Sequence, residues 1–228
     1  MTKSIENKIT AIVLAGGEST RMGRDKALLT VDKETLLSKI CSVAEEVAAT
    51  VYVVSPWSER YRFILPPNYL LVKEKLVLDA KSNAPIIGFA QGLKLVETKW
   101  VLLLACDLPY LSSSQVKQWS LALATVLPTQ MAFLPRDSKG WQVLCGFYRR
   151  DCLASLERYI KSGGKSFQAW LTHQKVKELI PSDRNCLFNC NTPADWQRVI
   201  ENSDEKGPSV DRICPLGNAH QESDRILD

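Results

Sequence analysis

Histidine is nearly missing from this chain. Only His173 and His220 occur among 228 residues, and neither lies near any motif described below. Chemistry that needs imidazole as a general base or as a set of metal ligands has little to draw on. Long apolar runs are missing as well. The first, Ile12-Val13-Leu14-Ala15, is far too short for a signal core or a membrane span, so a cytoplasmic protein with no membrane anchor is expected. The seven cysteines (Cys41, Cys106, Cys145, Cys152, Cys186, Cys190 and Cys214) are odd in number and contain no C-x-x-C pair. The tightest spacing, Cys186 to Cys190, has no histidine near it. Reduced thiols, several of them buried, fit this usage better than a metal or disulfide framework. Runs of like charge and internal repeats are also lacking. With 29 Lys and Arg against 25 Asp and Glu, the mild basicity suits a phosphate-bearing small molecule at least as well as nucleic acid, and no nucleic-acid motif is present.

What is there is an ordinary globular composition, 45 % apolar and 24 % charged, on a chain long enough for one well-buried core and short for two. Strand and helix signals alternate. Ile9–Ala15 is a compact apolar run stopped by Gly16-Gly17, as in a buried central strand. Glu34–Ala49 carries a helical apolar stripe through Leu36, Leu37, Ile40, Val43, Ala44 and Val47. Strands are expected at Val51–Val54, Tyr69–Val72, Trp100–Ala105, Met131–Leu134 and Gln142–Tyr148. Helices are expected at Ile86–Val96, from the Ser112/Gln115 capping box to about Thr125, at Asp151–Ile160, at Lys165–Thr172 and after Thr192-Pro193. The pattern predicts a single α/β domain over residues 1–202, a mostly parallel Rossmann-like sheet with helices on both faces. From Ser203 to the end the chain turns polar and aperiodic, which predicts a poorly ordered tail.

In open α/β sheets, ligands bind beyond the carboxyl ends of the strands, and two segments meet that condition. The loop Leu14-Ala15-Gly16-Gly17-Glu18-Ser19-Thr20-Arg21-Met22-Gly23-Arg24-Asp25-Lys26-Ala27-Leu28 offers paired glycines that let amides approach an anion, with Arg21, Arg24 and Lys26 close by. It is neither a Walker loop nor a dinucleotide fingerprint. Gly164-Lys165-Ser166 lacks the leading glycine, which is Tyr159, and Gly16-Gly17 with Gly23 has the wrong spacing for G-x-G-x-x-G. The second segment, Cys106-Asp107-Leu108-Pro109, sets a carboxylate just beyond an apolar strand. Such a hard oxygen ligand can hold Mg²⁺ together with substrate phosphates. An Asp ahead of a proline also makes a good turn former, and the residues alone leave both readings open.

Together these segments resemble the molybdenum cofactor guanylyltransferase family of nucleotidyltransferases. L-A-G-G-x-S-x-R-M-G-x-D-K-A-L is present in full from Leu14 to Leu28, and Cys106-Asp107-Leu108-Pro109 is similar to the family's C-D-x-P. Asn189-Cys190-Asn191-Thr192-Pro193-Ala194-Asp195 matches its N-x-N-T-P-x-D. Gly146–Arg150, Gly163-Gly164 and Trp170-Leu171 extend the likeness, which runs from about Thr10 to Ile200. The resemblance implies a Rossmann-like nucleotidyltransferase fold, GTP as donor, Mg²⁺ as cofactor and Mo-molybdopterin as acceptor, with molybdoenzyme or cofactor-pathway proteins as partners. It implies that Leu14, Ala15, Gly16 and Gly17 present main-chain groups to the nucleotide. Lys26 and Arg21 would serve the phosphates, and Asp107 would bind both metal and nucleotide. A further nucleotide-binding acid is expected before helix Ile86–Val96, at Asp79 or else Glu74. Asn189 or Asn191 would orient metal or acceptor, while Thr192 and Asp195 would also cap the last helix.

The chain departs from the family in Asn83-Ala84-Pro85-Ile86-Ile87-Gly88, where Ala84 replaces the first glycine of G-P-L-x-G. A left-handed backbone or a close approach at that position would bear on nucleotide choice. The same chemistry with another nucleotide or acceptor, such as cytidylyl transfer or a sugar-phosphate or phospholactate acceptor, is the alternative enzyme reading. A catalytically idle nucleotide- or cofactor-binding homologue is the non-enzymatic one. Trp57, Trp141 and Trp170 read as packing groups rather than a pterin platform.

Overall fold

The computed structural model describes residues 9–17, 22–76 and 83–204. The chain opens with β1 (Ile9–Leu14), then a short hairpin of β2 (Thr30–Val31) and β3 (Glu34–Thr35), α1 (Leu36–Glu45), β4 (Ala48–Ser55) and β5 (Leu70–Lys73). There follow α2 (Pro85–Leu93), β6 (Trp100–Ala105), α3 (Ser113–Ala122), β7 (Ala132–Asp137), β8 (Gly140–Trp141) and β9 (Cys145–Arg149). The chain continues through α4 (Leu153–Lys161), α5 (Phe167–Leu171), β10 (Val176–Leu179) and α6 (Pro193–Asp204).

The main sheet runs β10-β7-β9-β6-β1-β4-β5, with β8 on β7. The ladders β1–β4, β1–β6 and β4–β5 are parallel, and so is β10–β7. β9 is inserted in reverse, antiparallel to both β6 and β7, and the short β8 also pairs antiparallel with β7. The chain leaves β1 toward β4 and β5, then crosses back to β6 on the other side. The carboxyl ends of β1 and β6 therefore flank a topological switch point, where open α/β sheets bind ligands.

Both faces of the central strands are covered, which is why they read as continuous apolar runs rather than alternating ones. Ala11, Val13, Leu102 and Leu104 pack with Leu37, Ile40 and Cys41 of α1 and Val116 and Trp119 of α3. Their sequence neighbours Ile12, Val101 and Leu103 face the opposite layer with Ile86 and Phe89 of α2, Leu156 of α4 and Trp170 of α5. A separate small core joins Met22, Leu29, Val31 and Leu36 to Cys190, Trp196 and Val199. It clips the last helix onto the hairpin that follows the glycine loop, and so brings residues 189–195 beside Lys26.

Several boundaries differ from the periodicity reading. α1 starts at Leu36 because Thr35 caps it, its hydroxyl accepting from the Ser38 amide, and this leaves Glu34 in β3. That hairpin turns through Asp32 and Lys33 at φ 53° and 68°, a left-handed pair without the glycine that normally signals it. Of the strand expected at Gln142–Tyr148, the first residues form a turn closed by the Cys145 amide on the Gln142 carbonyl, and pairing begins at Cys145. β10 was not foreseen. It is a four-residue edge strand with no apolar run, set by its ladder with β7. Beyond residue 204, the expected tail lies outside the described residues. Among the described residues no helix is long and apolar enough to cross a membrane, and Cys41, Cys145, Cys152, Cys186 and Cys190 are buried free thiols.

Candidate active site

The end of β1 and the end of β6 are tied together before any ligand is considered. The Cys106 amide donates to the Leu14 carbonyl, and the Ala15 amide to the Val54 carbonyl at the end of β4. Beside them a one-turn helix, Lys26–Leu28, is started by Asp25, whose Oδ1 accepts from the Ala27 amide at 3.0 Å. This turn aims Lys26 back across the strand ends. Its Nζ donates to Asp107 Oδ2 at 2.8 Å and to Asn191 Oδ1 at 2.8 Å. Residues 81 and 165 positions from Lys26 thus meet at one ammonium group. Both side chains of the Lys26–Asp107 pair are only 14 % exposed, which makes the pair more strongly coupled than a surface bridge.

Asn191 reaches this point because its segment is capped. Asp195 Oδ2 accepts from the Asn191 amide at 3.0 Å and the Thr192 amide at 2.8 Å, while the Thr192 hydroxyl accepts from the Asp195 amide at 3.1 Å. The reciprocal pair is a capping box. The Asn191 amide, above all, holds the Asp195 carboxyl below the ordinary aspartate range. Asn189 is turned elsewhere, its side chain donating to the Leu187 carbonyl. Of the two asparagines of the motif, Asn191 is the one that touches Lys26.

A cleft of about 240 Å³ opens over these groups, lined on the sheet side by Leu14, Gly16, Gly17, Lys26, Ala105, Cys106 and Asp107. Val54, Glu74, Asn83, Gly88 and Leu144 line it as well. Leu14, Gly16, Gly17, Lys26 and Asp107 of the expected set therefore share one cavity. Ala15 does not line it. Its side chain is buried, and both its main-chain polar groups are engaged within the protein. Arg21 and Asp79 lie outside the described residues.

Among the described residues Glu74 is the second acid lining this cleft. The residue is buried; its carboxylate accepts from Asn83 Nδ2 at 2.7 Å and is pushed up in pKa by desolvation, partly offset by that bond. Two glycines make room for it. A Cβ at Gly16 would lie 3.2 Å from one carboxylate oxygen, and a Cβ at Gly88 3.1 Å from the other. Ala84, by contrast, has φ −62° and ψ 142°, the extended backbone that a following proline enforces. No left-handed conformation is required there, and the glycine that matters for fit is Gly88.

A third feature concerns what the cleft could hold. Asp107 Oδ1 is buried and has no hydrogen-bond partner among the described residues. An orphaned carboxylate oxygen in a cleft is costly unless a ligand completes it. Among the described residues no group of three or more His, Cys, Asp and Glu could hold a metal ion. A cation here would take one carboxylate from the protein and the rest of its shell from substrate and water, the coordination Mg²⁺ prefers. Burial and then the neighbouring Asp107 charge push the Cys106 thiol far up, away from the thiolate form that a cysteine nucleophile uses.

Sequence reasoning missed Tyr61. It is fully buried, with its hydroxyl 2.9 Å from Asp25 Oδ2 and 3.2 Å from the Ala15 carbonyl, and nothing in Ser58-Glu59-Arg60-Tyr61 marks it locally. Trp141 is half-buried with the Arg136 guanidinium 5.1 Å from its ring centroid, and Trp170 is buried in the core.

A parallel α/β sheet with a glycine loop, a lysine and an orphaned carboxylate at its switch point defines a class: proteins that hold a phosphate-bearing nucleotide over the strand ends. The comparisons sharpen this. The MobA-like NTP transferase domain model matches residues 11–177. A protein of Nostoc sp. named "Probable molybdenum cofactor guanylyltransferase" is 47 % identical over 203 residues, covering 89 % of this chain and 96 % of its own. One of Synechococcus elongatus with the same name is 37 % identical, covering 83 % and 96 %. The solved structure of a putative protein from Aquifex aeolicus superposes with a TM-score of 0.66 at 28 % identity, covering 83 % of this chain and 96 % of that one. The chain belongs to the MobA-like NTP transferase family and has its α/β nucleotidyltransferase fold.

Proposed function

We propose that this enzyme transfers GMP from GTP to the terminal phosphate of Mo-molybdopterin, forming the guanine dinucleotide cofactor. An oxygen of the acceptor phosphate forms a bond to the α-phosphorus of GTP as the bond from that phosphorus to the β-phosphate bridge breaks, and pyrophosphate leaves. A phosphate monoester is an anion near neutral pH, so no side chain need remove a proton. This suits a cleft whose titratable lining among the described residues is Lys26, Glu74, Cys106 and Asp107, with no histidine among them.

What such a transfer demands is charge neutralisation and in-line placement. Lys26 supplies a fixed positive charge, and the glycine-loop amides supply oriented donors. Mg²⁺ held on Asp107 would supply charge neutralisation of the phosphates, and the orphaned Oδ1 favours a ligand at that point. Asn191 fixes the Lys26 ammonium from the side of the last helix. Glu74 stands as the nucleoside-reading acid in place of Asp79. An ionised carboxylate only accepts, which suits the adjacent N–H donors of guanine. Donors reaching Glu74 would also restore the charged form that burial disfavours.

The observation that carries this reading is the meeting of Lys26 with an Asp107 carboxylate whose second oxygen is buried and unpaired among the described residues, in a chain of this family. The test is pyrophosphate release with Mg²⁺ and Mo-molybdopterin, comparing GTP, CTP and ATP. Release with GTP alone is expected. Preference for CTP or ATP would overturn the choice of base, and no release with any of the three would overturn the acceptor assignment.

A further inference from the structure

We infer that Tyr61 is a positioning residue for nucleotide binding, its buried hydroxyl aiming both the Gly16 amide and the Lys26 turn at the triphosphate. In a trans peptide the carbonyl of one residue and the amide of the next point in opposite directions. The Tyr61 hydroxyl lies 3.2 Å from the Ala15 carbonyl; Tyr61 is fully buried and does not line the cleft, whereas Gly16 does. Holding that carbonyl inward therefore aims the Gly16 N–H outward, toward the cavity. The Ala15 amide, part of the preceding peptide, is fixed as well, on the Val54 carbonyl at 3.0 Å, so the residue before Gly16 is held through both of its main-chain polar groups.

The same hydroxyl lies 2.9 Å from Asp25 Oδ2, while Asp25 Oδ1 accepts from the Ala27 amide at 3.0 Å. Each oxygen of Asp25 thus already accepts a hydrogen bond from within the protein. The work of Asp25 is to start the turn that carries Lys26. One phenol joins the two ends of the glycine loop, residue 15 and residue 25, and sets an amide and an ammonium group in a common frame. Burial, and then the Asp25 charge, raise the Tyr61 pKa far above the ordinary phenol value, so the hydroxyl keeps the proton it shares between its two acceptors. The tyrosine side chain is itself locked in the main core, so the frame is referred to the sheet rather than to another loop.

This rests on the cleft taking GTP, and it predicts a phosphate-specific defect. Tyr61→Phe keeps the ring and removes only the hydroxyl. GTP affinity, measured by calorimetry with Mg²⁺, is expected to fall about tenfold, the scale of losing well-aimed hydrogen bonds to a charged group. Guanosine affinity should stay unchanged, and so should KM for the acceptor. A general loosening of the core would instead lower guanosine and GTP binding alike, and that result overturns the proposal, as does a variant that binds GTP like the parent. If Tyr61→Phe yields no folded protein, Asp25→Asn carries the same comparison. A smaller fall in the GTP-to-guanosine affinity ratio is expected there, and an unchanged ratio overturns the idea. A parent protein that does not itself prefer GTP to guanosine would refute the GTP reading of the cleft and this inference with it. A parent that does, beside a variant that does so equally, refutes Tyr61 alone.

Discussion

The two ends of the cleft are built by different means. At one end Lys26, Asp107 and Asn191 are drawn together by charge and hydrogen bonds, with spare bonding capacity left on Asp107. At the other end Glu74 is accommodated by absence: two positions without a Cβ leave room for a desolvated carboxylate that accepts from the Asn83 side chain. The first arrangement suits a ligand with several negative charges, because its cation is fixed and its acid can accept a metal. The second suits discrimination, because a buried acceptor penalises any ligand that fails to satisfy it. On the proposed function, charge handling and base reading would be divided between separate structural devices.

If that division holds, substitutions at the two ends should damage different kinetic constants. The largest effect is expected at the charged end. Asp107→Ala should lower kcat at least about 10²-fold, by analogy with loss of an electrostatic stabiliser, while the GTP-over-CTP preference of the residual activity stays intact. Steady-state rates with both nucleotides read this directly, and a loss of preference alongside rate would break the comparison. A smaller effect is expected at the other end. Gly88→Ala pushes a methyl group toward the Glu74 carboxylate, the Cβ lying 3.1 Å from Oε1, and should lower kcat/KM for GTP about tenfold, or ~1.4 kcal/mol. The loss should appear mainly as raised KM, and a fall confined to kcat would argue against a nucleoside-reading role.

The smallest effect concerns the cap behind Asn191. Asp195→Asn weakens the capping box and should cost about 1 kcal/mol of stability, measured by chemical denaturation. The sign of its pH dependence follows from the lowered carboxyl pKa. The charged cap contributes above the ordinary aspartate value of 3.8, and that contribution drains away as pH falls through the lower folded value. The difference between parent and variant should accordingly narrow only in acid. A gap that widened below pH 3.8 would show that the carboxylate is not what holds the cap.

The parts legible in the sequence were those whose cause is local. The all-apolar runs of β1 and β6, the Ser112/Gln115 box and the Thr192-Pro193 start each follow from a few neighbouring residues, and the structure has them. Lys26 and Asp107 could be singled out because a strand end fixes where a following side chain must go. What could not be read depends on distant partners. β10 exists only through its ladder with β7, and the link from Lys26 to Asn191 spans the fold. Tyr61 gains its role from two acceptors far along the chain. The role of Glu74 depends on space left by Gly16 and Gly88, which no spacing rule encodes. Ala84 illustrates the converse: a departure from the family pattern proved conformationally ordinary once Pro85 was taken into account.

The reversed strand β9 has a bearing on how such a site can diversify. Because it begins at Cys145 opposite Leu104 and ends at Arg149 opposite Trp100, the segment entering it, rather than the one leaving it, reaches the active edge, where Leu144 lines the cleft. The turn from β8 through residues 142–144 can therefore be lengthened, shortened or exchanged at that edge without lengthening any connection of the parallel strands that carry Lys26, Asp107 and Glu74. One flank of the cleft is free to vary by insertion while the other keeps its spacing, so a lineage could change what it modifies and still draw on the same nucleotide.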